Sequence, residues 1–297
     1  MIDMNFKIER EIDSLGLAEF FKKTGFLKVT LLTIDETDRL KSCIFEMSRE
    51  FSIIKKELAG EMAWKIDIFK QLYSFIEFQK LCINEKIIRI CEQLLSPDLV
   101  LEQASILYAQ KGNYYRQGWH RDVWQLPEKV INNNIFTSNF FYNSIQVNLA
   151  LSDDDCFWIV PGTHKRPLRP EEEDLFLGSK YYTPINTDMP NQQNIFLNPG
   201  EAIFYNNYSL HRGHNEFGRS RNTFHASYHS KKHPPTWHFY NTGFGALDET
   251  HAKQLPQELY SMWEKNQAVA RSFPSIDFAR TAYGLNSSKH LKTLSDE

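Results

Sequence analysis

The sequence predicts a mainly β protein with helical flanks, and two observations support this fold class. After Pro97, short β-rich runs bounded by Gly, Asn, Asp or Pro follow one another at residues 99–110, 144–151, 157–160, 202–208 and 223–228. Their succession without intervening helices favours an antiparallel sandwich or jelly roll over a parallel α/β sheet. Helical spacing of apolar residues, in contrast, is confined to residues 5–95 and to the segment after residue 247.

The N-terminal third is predicted to contain helices around one strand. Residues 5–21 have helical spacing up to Thr24 and Gly25, and residues 26–32 alternate as a strand does. Thr33 and Glu36 form a capping box that predicts a helix over residues 34–56. A further helix is predicted over residues 84–95, because its apolar positions share one face and Pro97 follows.

One domain accounts for the whole chain, since no repeat, low-complexity tract or linker divides it. We predict a helical N-terminal part at residues 1–97, a jelly-roll core at 98–240 and a helical C-terminal part at 241–285 of the 297 residues. Two connections, residues 123–143 and 166–194, are long for turns and are expected to be lids or binding segments.

Composition and charge narrow the class of protein. A hydrophobic content of 41% supports a sizeable core, and a formal net charge of −3 gives no basic footprint for nucleic acid. No apolar run reaches the length of a membrane span. The four cysteines form no C-x-x-C pair, so we expect a reduced, cytoplasmic protein rather than a zinc or disulfide scaffold. The oligomeric state is left open.

The pattern with the clearest chemistry is QGWHRDVW at residues 117–124. On a strand, side chains two apart share a face, so His120 and Asp122 would present an imidazole beside a carboxylate. With a distant second His, this pair makes the facial triad of non-haem Fe(II) oxygenases. The pattern alone is weak, because His214 and Glu216 repeat it without other support.

The second histidine is sought among those from His211 onward. His211 stands at the end of a strand-like run over residues 203–210, whose alternating positions Tyr205, Asn207 and Ser209 are polar. A polar inward face suits a site, which favours His211. Counting alone leaves four alternatives open: His214, His225, His229 and His238.

A candidate carboxylate anchor follows on the next predicted strand. Arg221 could point its guanidinium into the same cavity, and a bidentate Arg is the natural partner of a substrate carboxylate. Thr223 lies two residues on, with a hydroxyl on the same face. The alternative is that Arg219 and Arg221 are simply charged residues of a turn, without a ligand to bind.

Four motifs, taken together, resemble the phytanoyl-CoA dioxygenase family of Fe(II)/2-oxoglutarate-dependent oxygenases. They are WHRD at residues 119–122, CFWIVPGTHK at 156–165, PGEAIFY with LHRG over 199–213, and RNTFHASY at 221–228. The segment TGFLKVTLL at residues 24–32 is similar to that family's N-terminal element, so the resemblance covers roughly residues 20–228. It implies a double-stranded β-helix core, that is, a cupin-like jelly roll.

The resemblance also implies roles for individual residues. His120, Asp122 and His211 would be iron ligands, and Arg221 would bind the distal carboxylate of 2-oxoglutarate. Further co-substrate contacts are implied at Asn148, Gln103 and Lys65, with Thr223 beside the anchor. Residues 161–165 would form a structural turn, so His164 is not expected to be a metal ligand. The chain departs from the family pattern at Gly213, Asn222 and Thr223.

The implied activity is oxidation of a C–H bond of a small molecule, using O2, with release of succinate and CO2. Halogenating relatives lack a coordinating residue at the position of Asp122, so its carboxylate predicts hydroxylation, or allied desaturation or cyclisation. The sequence lacks a basic cluster for the phosphates of coenzyme A, which favours a secondary-metabolite substrate. Two alternatives stay open: a non-catalytic jelly-roll ligand-binding module, and a cupin-like metalloenzyme that does not use 2-oxoglutarate.

Overall fold

The computed structural model describes residues 14–54, 64–122, 144–177 and 188–275. Its strands are β1 (Phe26–Thr30), β2 (Trp64–Asp67), β3 (Leu99–Ala109), β4 (Tyr115–Arg116), β5 (Ser144–Ala150), β6 (Asp154–Ile159), β7 (Gln193–Leu197), β8 (Glu201–Asn206), β9 (His211–Asn215) and β10 (Arg221–Ser230). The helices are α1 (Ser14–Thr24), α2 (Ile34–Ile54), α3 (Ile76–Leu81), α4 (Glu85–Leu94), α5 (Pro170–Leu177), α6 (Glu249–Ala252) and α7 (Gln257–Ser272).

The strands form two antiparallel sheets. The larger sheet has six strands in the order β1-β8-β5-β10-β3-β2, and the smaller has four in the order β4-β9-β6-β7. Non-consecutive strands therefore lie side by side in both sheets, as they do in a jelly roll. The predicted fold class, mainly β with helical flanks, is confirmed.

The two faces of the larger sheet have different partners. On one face, apolar side chains pack against the helices in a core that contains Phe21 of α1, Ile87 of α4 and Leu259 of α7. The other face looks toward the smaller sheet, where Phe157 of β6 and Tyr205 of β8 belong to a second apolar cluster. Because successive strand residues alternate between faces, each strand supplies side chains to both regions.

Local signals at the N-terminus form the elements that the sequence predicts. The capping box of α2 is present, with the Thr33 amide donating to Glu36 at 2.7 Å and the Glu36 amide donating to the Thr33 hydroxyl at 3.3 Å. Asn84 caps α4 by accepting from the Lys86 amide at 3.1 Å. Gly25 has a φ of +82°, and a Cβ there would lie 2.5 Å from the His164 ring, so the turn into β1 requires glycine.

The structure corrects the predicted setting of His211. The run over residues 203–210 is not one strand, because β8 ends at Asn206 and His211 begins β9. A turn forms between them, since the Asn206 side chain accepts from the Tyr208 amide at 2.9 Å and its carbonyl accepts from the Ser209 amide at 2.9 Å. The alternation proposed from Tyr205 through Ser209 therefore does not extend to His211.

Other segments differ from the prediction in simpler ways. Strands β2, β4 and β7 and helix α3 were not predicted, and α5 lies inside the connection expected at residues 166–194. Residues 123–143, the other expected binding segment, lie outside the described residues. The helical pattern after residue 247 is confirmed as two helices, α6 and α7, separated by a turn that ends at Pro256. Within the described ranges, we find no helix with the length and apolar character needed to cross a lipid bilayer.

Candidate metal centre

The structure brings His120, Asp122 and His211 together. Their ligand atoms all lie within 4.8 Å of one another. The Nε2 atom of His211 is 3.2 Å from one carboxylate oxygen of Asp122, and the Nε2 atom of His120 is 3.7 Å from the other. His120 forms an isolated β-bridge with His211, with reciprocal backbone hydrogen bonds of 3.0 Å, so backbone pairing holds the two rings side by side.

Both imidazoles have the orientation that a metal ligand needs. The Nδ1 atom of His120 is 2.8 Å from the Gly118 carbonyl, and that of His211 is 2.8 Å from the Ser209 carbonyl. A carbonyl can only accept, so each Nδ1 carries a proton, and each Nε2 faces Asp122 as the ring atom that can bind a metal ion. Two neutral imidazoles and one carboxylate suit a divalent ion such as Fe(II), and the donor set therefore fits the predicted metal.

The electrostatics of the group favour its ligand form. Burial opposes ionisation of Asp122, but the imidazoles of His238 and His211 outweigh it and hold the pKa of this carboxyl well below its ordinary value. Burial and the neighbouring His211 ring lower the pKa of His120. A deprotonated carboxylate and neutral rings are the protonation states that bind a metal ion.

Arg121 and Trp119 fix the segment that carries two of the three ligands. The Arg121 guanidinium is buried and donates to the Thr163 carbonyl at 2.6 Å and to the Tyr208 carbonyl. It thereby joins the ligand segment to the turn between β8 and β9. Trp119 is also buried, and the guanidinium of Arg212 lies 4.5 Å from its ring centroid. Trp119 and Arg121 of the WHRD motif thus have structural contacts and lie outside the group of three candidate ligands.

Arg221 points into the same cavity as the three ligands. This cavity has a volume of about 200 Å³, and its lining includes His120, Asp122, His211 and Arg221. The Arg221 side chain is buried, its Nε donates to Asp154 at 2.9 Å, and its Nη1 donates to the Tyr115 hydroxyl at 2.8 Å. Burial alone would lower the pKa of Arg221, but Asp154 raises it well above the ordinary value.

Asp154 organises the end of the cavity where Arg221 lies. The sequence did not single it out. Its carboxylate accepts from Arg221, from the Thr223 hydroxyl and, at 2.8 Å, from the Cys156 amide. Thr223 therefore directs its hydroxyl at Asp154. The acidic run at residues 153–155 is the signal that could have indicated a partner for a buried arginine.

The other candidate co-substrate residues divide into two groups. Asn148 and Lys65 line the cavity. Gln103 lies behind the lining, where it accepts from Lys65 and its amide group is 3.3 Å from the His225 ring. Gln146, Tyr205 and His225 are among the other residues that reach the cavity. The sequence indicates no role for Gln146, and it singles out Tyr205 only for its polar strand face and His225 only as an alternative iron ligand. Gln146 and His225 are each two positions from a named candidate on the same strand, Asn148 and Thr223, which is the alternation signal that could have found them.

The remaining histidines have different positions. His238, in a short 3-10 helix (Trp237–Asn241), lines the cavity with its Nε2 atom 3.7 Å from Asp122. His214 accepts from Arg116 at 3.2 Å outside the group of three. His164 is buried in the turn after β6 and hydrogen-bonds to the Lys22 carbonyl at 3.1 Å.

The sequence around this site matches a known protein family. The profile of the phytanoyl-CoA dioxygenase (PhyH) family matches residues 22–221. The chain belongs to the phytanoyl-CoA dioxygenase (PhyH) family. It is accordingly a non-haem Fe(II)/2-oxoglutarate-dependent dioxygenase by class, and the resemblance drawn from the four motifs is confirmed. No curated protein matches the sequence.

Solved structures share the fold of this PhyH family member at low sequence identity. AviO1 from Streptomyces viridochromogenes has a TM-score of 0.55 and 17% identity, over 77% of this chain and 100% of AviO1. HygX from Streptomyces hygroscopicus with nickel and 2-oxoglutarate bound has a TM-score of 0.54 and 17% identity, over 76% and 88%. The epimerase SnoN, in complex with Fe3+, alpha ketoglutarate and nogalamycin RO, has a TM-score of 0.51 and 18% identity, over 73% and 84%.

Proposed function

We propose that His120, Asp122 and His211 hold Fe(II), that 2-oxoglutarate binds between this ion and Arg221, and that the enzyme oxidises a C–H bond of a small molecule. The observation that carries the proposal is the meeting of the three ligand side chains and a buried Arg221 in one cavity. Bound Fe(II), 2-oxoglutarate and O2 supply the oxidising chemistry, with succinate and CO2 as products.

The protein's own residues bind and orient the reactants. Two imidazoles and one carboxylate leave three positions of a six-coordinate ion for the co-substrate and O2. Arg221 already has Nε and Nη1 engaged by Asp154 and Tyr115, so its orientation is set before the co-substrate binds. A preorganised guanidinium loses little conformational entropy when it takes up a carboxylate. Asn148, on the cavity wall, adds an amide that can hydrogen-bond to the bound co-substrate.

We further propose hydroxylation, or an allied desaturation or cyclisation, of a secondary metabolite. The Asp122 carboxylate would occupy one coordination position of a bound metal ion and so would leave no place there for the halide that a halogenase needs. The similar structures support the substrate class, because SnoN is described as an epimerase and SnoK as a carbocyclase from nogalamycin biosynthesis.

Anaerobic titration of the apoprotein with Fe(II) and 2-oxoglutarate tests the proposal. The wild type is expected to show the metal-to-ligand charge-transfer band of chelated 2-oxoglutarate. His120→Ala should abolish the band because one of three protein ligands is lost. Arg221→Ala should weaken co-substrate affinity by roughly 10-fold to 100-fold, since a charge-assisted pair contributes about 1.5–3 kcal/mol. The band should still appear at saturating 2-oxoglutarate.

The control and the contradicting results separate the alternatives. Lys231→Ala removes an exposed cation at the end of β10 and should leave the titration unchanged. Iron binding without the band would favour a metalloenzyme that does not use 2-oxoglutarate. A folded protein that binds neither iron nor 2-oxoglutarate would favour a non-catalytic ligand-binding module.

A further inference from the structure

A continuous set of hydrogen bonds, most of them between buried side chains, links Lys65 to the candidate metal ligand Asp122. We call it the Lys65–Asp122 network, and its members in order are Lys65, Gln103, His225, Asn148, Tyr205, Gln146 and Asp122. The five members between the ends are at most 6% exposed. The sequence implies roles for some of these residues one by one, and only the structure connects them.

The first half of the network runs from Lys65 to Asn148. The Lys65 ammonium donates to the Oε1 atom of Gln103. The Nε2 atom of Gln103 is 3.3 Å from the Nε2 atom of His225, and the Nδ1 atom of His225 is 2.7 Å from the Oδ1 atom of Asn148. Burial, and then the charge of Lys65, lower the pKa of His225 well below its ordinary value, so the ring is neutral and has one donor and one acceptor.

The second half runs from Asn148 to Asp122. Burial raises the pKa of the Tyr205 phenol well above its ordinary value, while a side-chain hydrogen bond with Asn148 acts in the opposite direction. The single proton of the Tyr205 hydroxyl is used in a bond to Gln146, so its oxygen accepts from Asn148 and the Asn148 amide is the donor. The Tyr205 hydroxyl donates to the Oε1 atom of Gln146, and the Nε2 atom of Gln146 donates to Asp122 at 2.7 Å.

The two ends determine the direction of every hydrogen bond. An ammonium has donors and no acceptor, whereas an ionised carboxylate has acceptors and no donor. Each amide, hydroxyl and neutral imidazole between them accepts one bond and donates the next. This assignment fixes which way Gln103, Asn148 and Gln146 present their amides, and it makes His225 the Nδ1–H tautomer.

The register of the larger sheet produces this arrangement. His225 of β10 stands directly opposite Asn148 of β5, and Gln146 of β5 stands directly opposite Tyr205 of β8. Lys65 and Gln103 come from β2 and β3, the next two strands on the other side of β10. The network therefore crosses five neighbouring strands of the larger sheet, and β5 supplies two of its members, Asn148 and Gln146.

We propose that the Lys65–Asp122 network is a set of positioning residues that orients the Asp122 carboxylate for metal binding, which rests on the proposed role of Asp122 as a ligand. The Gln146 bond restrains one oxygen of the carboxylate, and Tyr205 and Asn148 hold Gln146 in the donating orientation. Hydrogen-bonded partners of a metal ligand typically change metal affinity by 10-fold to 100-fold. The network would thus make the larger sheet, as well as the ligands, a determinant of metal affinity.

Removal of the Tyr205 hydroxyl tests the proposal with little change in volume. Tyr205→Phe should raise the dissociation constant for Co(II), measured by equilibrium dialysis, by about 10-fold, and should shift the Co(II) absorption spectrum because the carboxylate is reoriented. Tyr228→Phe is the matched control. Tyr228 is also buried and also donates one hydrogen bond, to the Cys82 carbonyl at 2.8 Å, but it belongs to the core beneath the helices. This control should bind Co(II) within twofold of wild type.

A second measurement reads the direction of the network without using activity. Nitrogen-15 NMR of the His225 ring in the full-length protein should show a neutral ring protonated at Nδ1, and Gln103→Glu should change that state because its side chain can no longer donate to Nε2. A ring protonated at Nε2 in the wild type would overturn the proposal. Equal Co(II) affinities for Tyr205→Phe and Tyr228→Phe would also overturn it, while leaving the proposed function intact. A wild type that binds no Co(II) would overturn both together.

Discussion

The Arg221 side chain shows how a single buried charge constrains its surroundings. A guanidinium removed from water is costly unless it is paired and hydrogen-bonded. Asp154 supplies the compensating charge, and it is itself fully buried. Because the neighbouring Thr223 hydroxyl also donates to Asp154, this carboxylate is held from two sides. Arg221 stays protonated, and the net charge of the Arg221–Asp154 pair is close to zero before any co-substrate is present.

Removal of the Asp154 charge should therefore destabilise the protein. Asp154→Asn leaves Arg221 buried without a counter-ion, and loss of one partner of a buried ion pair costs about 3–5 kcal/mol. The free energy of unfolding, measured with urea, should fall by about this amount. Burial opposes ionisation of Asp154, but Arg221 and Thr223 outweigh it and lower its pKa, so the carboxylate remains charged at neutral pH.

The neighbouring acid offers a matched control. Asp153→Asn removes a charge from an exposed position and should change the unfolding free energy by less than about 0.5 kcal/mol. 2-Oxoglutarate with metal should stabilise Asp154→Asn more than wild type, because its distal carboxylate would return an anion to Arg221. Equal stabilities for the two variants would show that Arg221 does not depend on Asp154.

At the scale of elements, the turn after β6 holds three parts of the fold together. The Thr163 hydroxyl accepts from the Leu210 amide at 2.9 Å, and the Thr163 carbonyl accepts from Arg121. The His164 ring reaches the Lys22 carbonyl at the end of α1. The turn thus connects the first helix, the ligand segment and the loop that precedes His211. The PGTHK motif therefore has a structural role, although it supplies no candidate ligand.

His164 should make the stability of the fold sensitive to acid. Burial lowers the pKa of His164 from 6.5 to about 4. A folded-state pKa below the unfolded value gives stability that is complete above pH 6.5 and is lost as pH falls toward 4. Between pH 7.5 and pH 4.5 this one group should cost about 2.5 kcal/mol of unfolding free energy.

Substitution of His164 tests this pH dependence. His164→Gln can still donate to the Lys22 carbonyl but does not titrate, so the difference in urea-unfolding free energy between pH 7.5 and 4.5 should shrink by about 2.5 kcal/mol. Lys23→Gln changes an exposed residue of the adjoining helix α1 and should retain the full difference. An unchanged pH dependence in His164→Gln would assign the acid sensitivity to other groups.

Elements with a local signal are the ones that the sequence predicted. The capping box before α2 and the Asn84 cap of α4 operate within a few residues, so they are readable from the chain alone. Strands β2 and β7 were missed because they are edge strands whose pairing with β3 and β6 is set by tertiary contacts. The turn at residues 207–210 was read as strand because its β-rich composition conceals the hydrogen bonds made by Asn206.

At the scale of the whole molecule, the site is made by the pairing of distant segments. The ligand segment after β4 meets β9, and β10 carries Arg221 toward β6. The motifs were sufficient to place His120, Asp122, His211 and Arg221 in one predicted site. Asp154, Tyr205 and Gln146 were not identified, because their contacts depend on strand register, which a single sequence does not reveal.

Because the three candidate ligands come from separate parts of the jelly roll, metal loading should stabilise the fold as a unit. A ligand that binds the native state at 100 times its dissociation constant adds about 2.7 kcal/mol, which corresponds to a rise in Tm of roughly 4 °C for a chain of 297 residues. Co(II) added to apoprotein should produce such a shift in differential scanning calorimetry. 2-Oxoglutarate should raise Tm further when the metal is present, because it would then contact both the metal and Arg221, and should add little without it.

His211→Ala should lose the metal-dependent shift, whereas His214→Ala, which changes a neighbouring histidine outside the group of three, should keep it. A shift of equal size in His211→Ala would place the metal at another site.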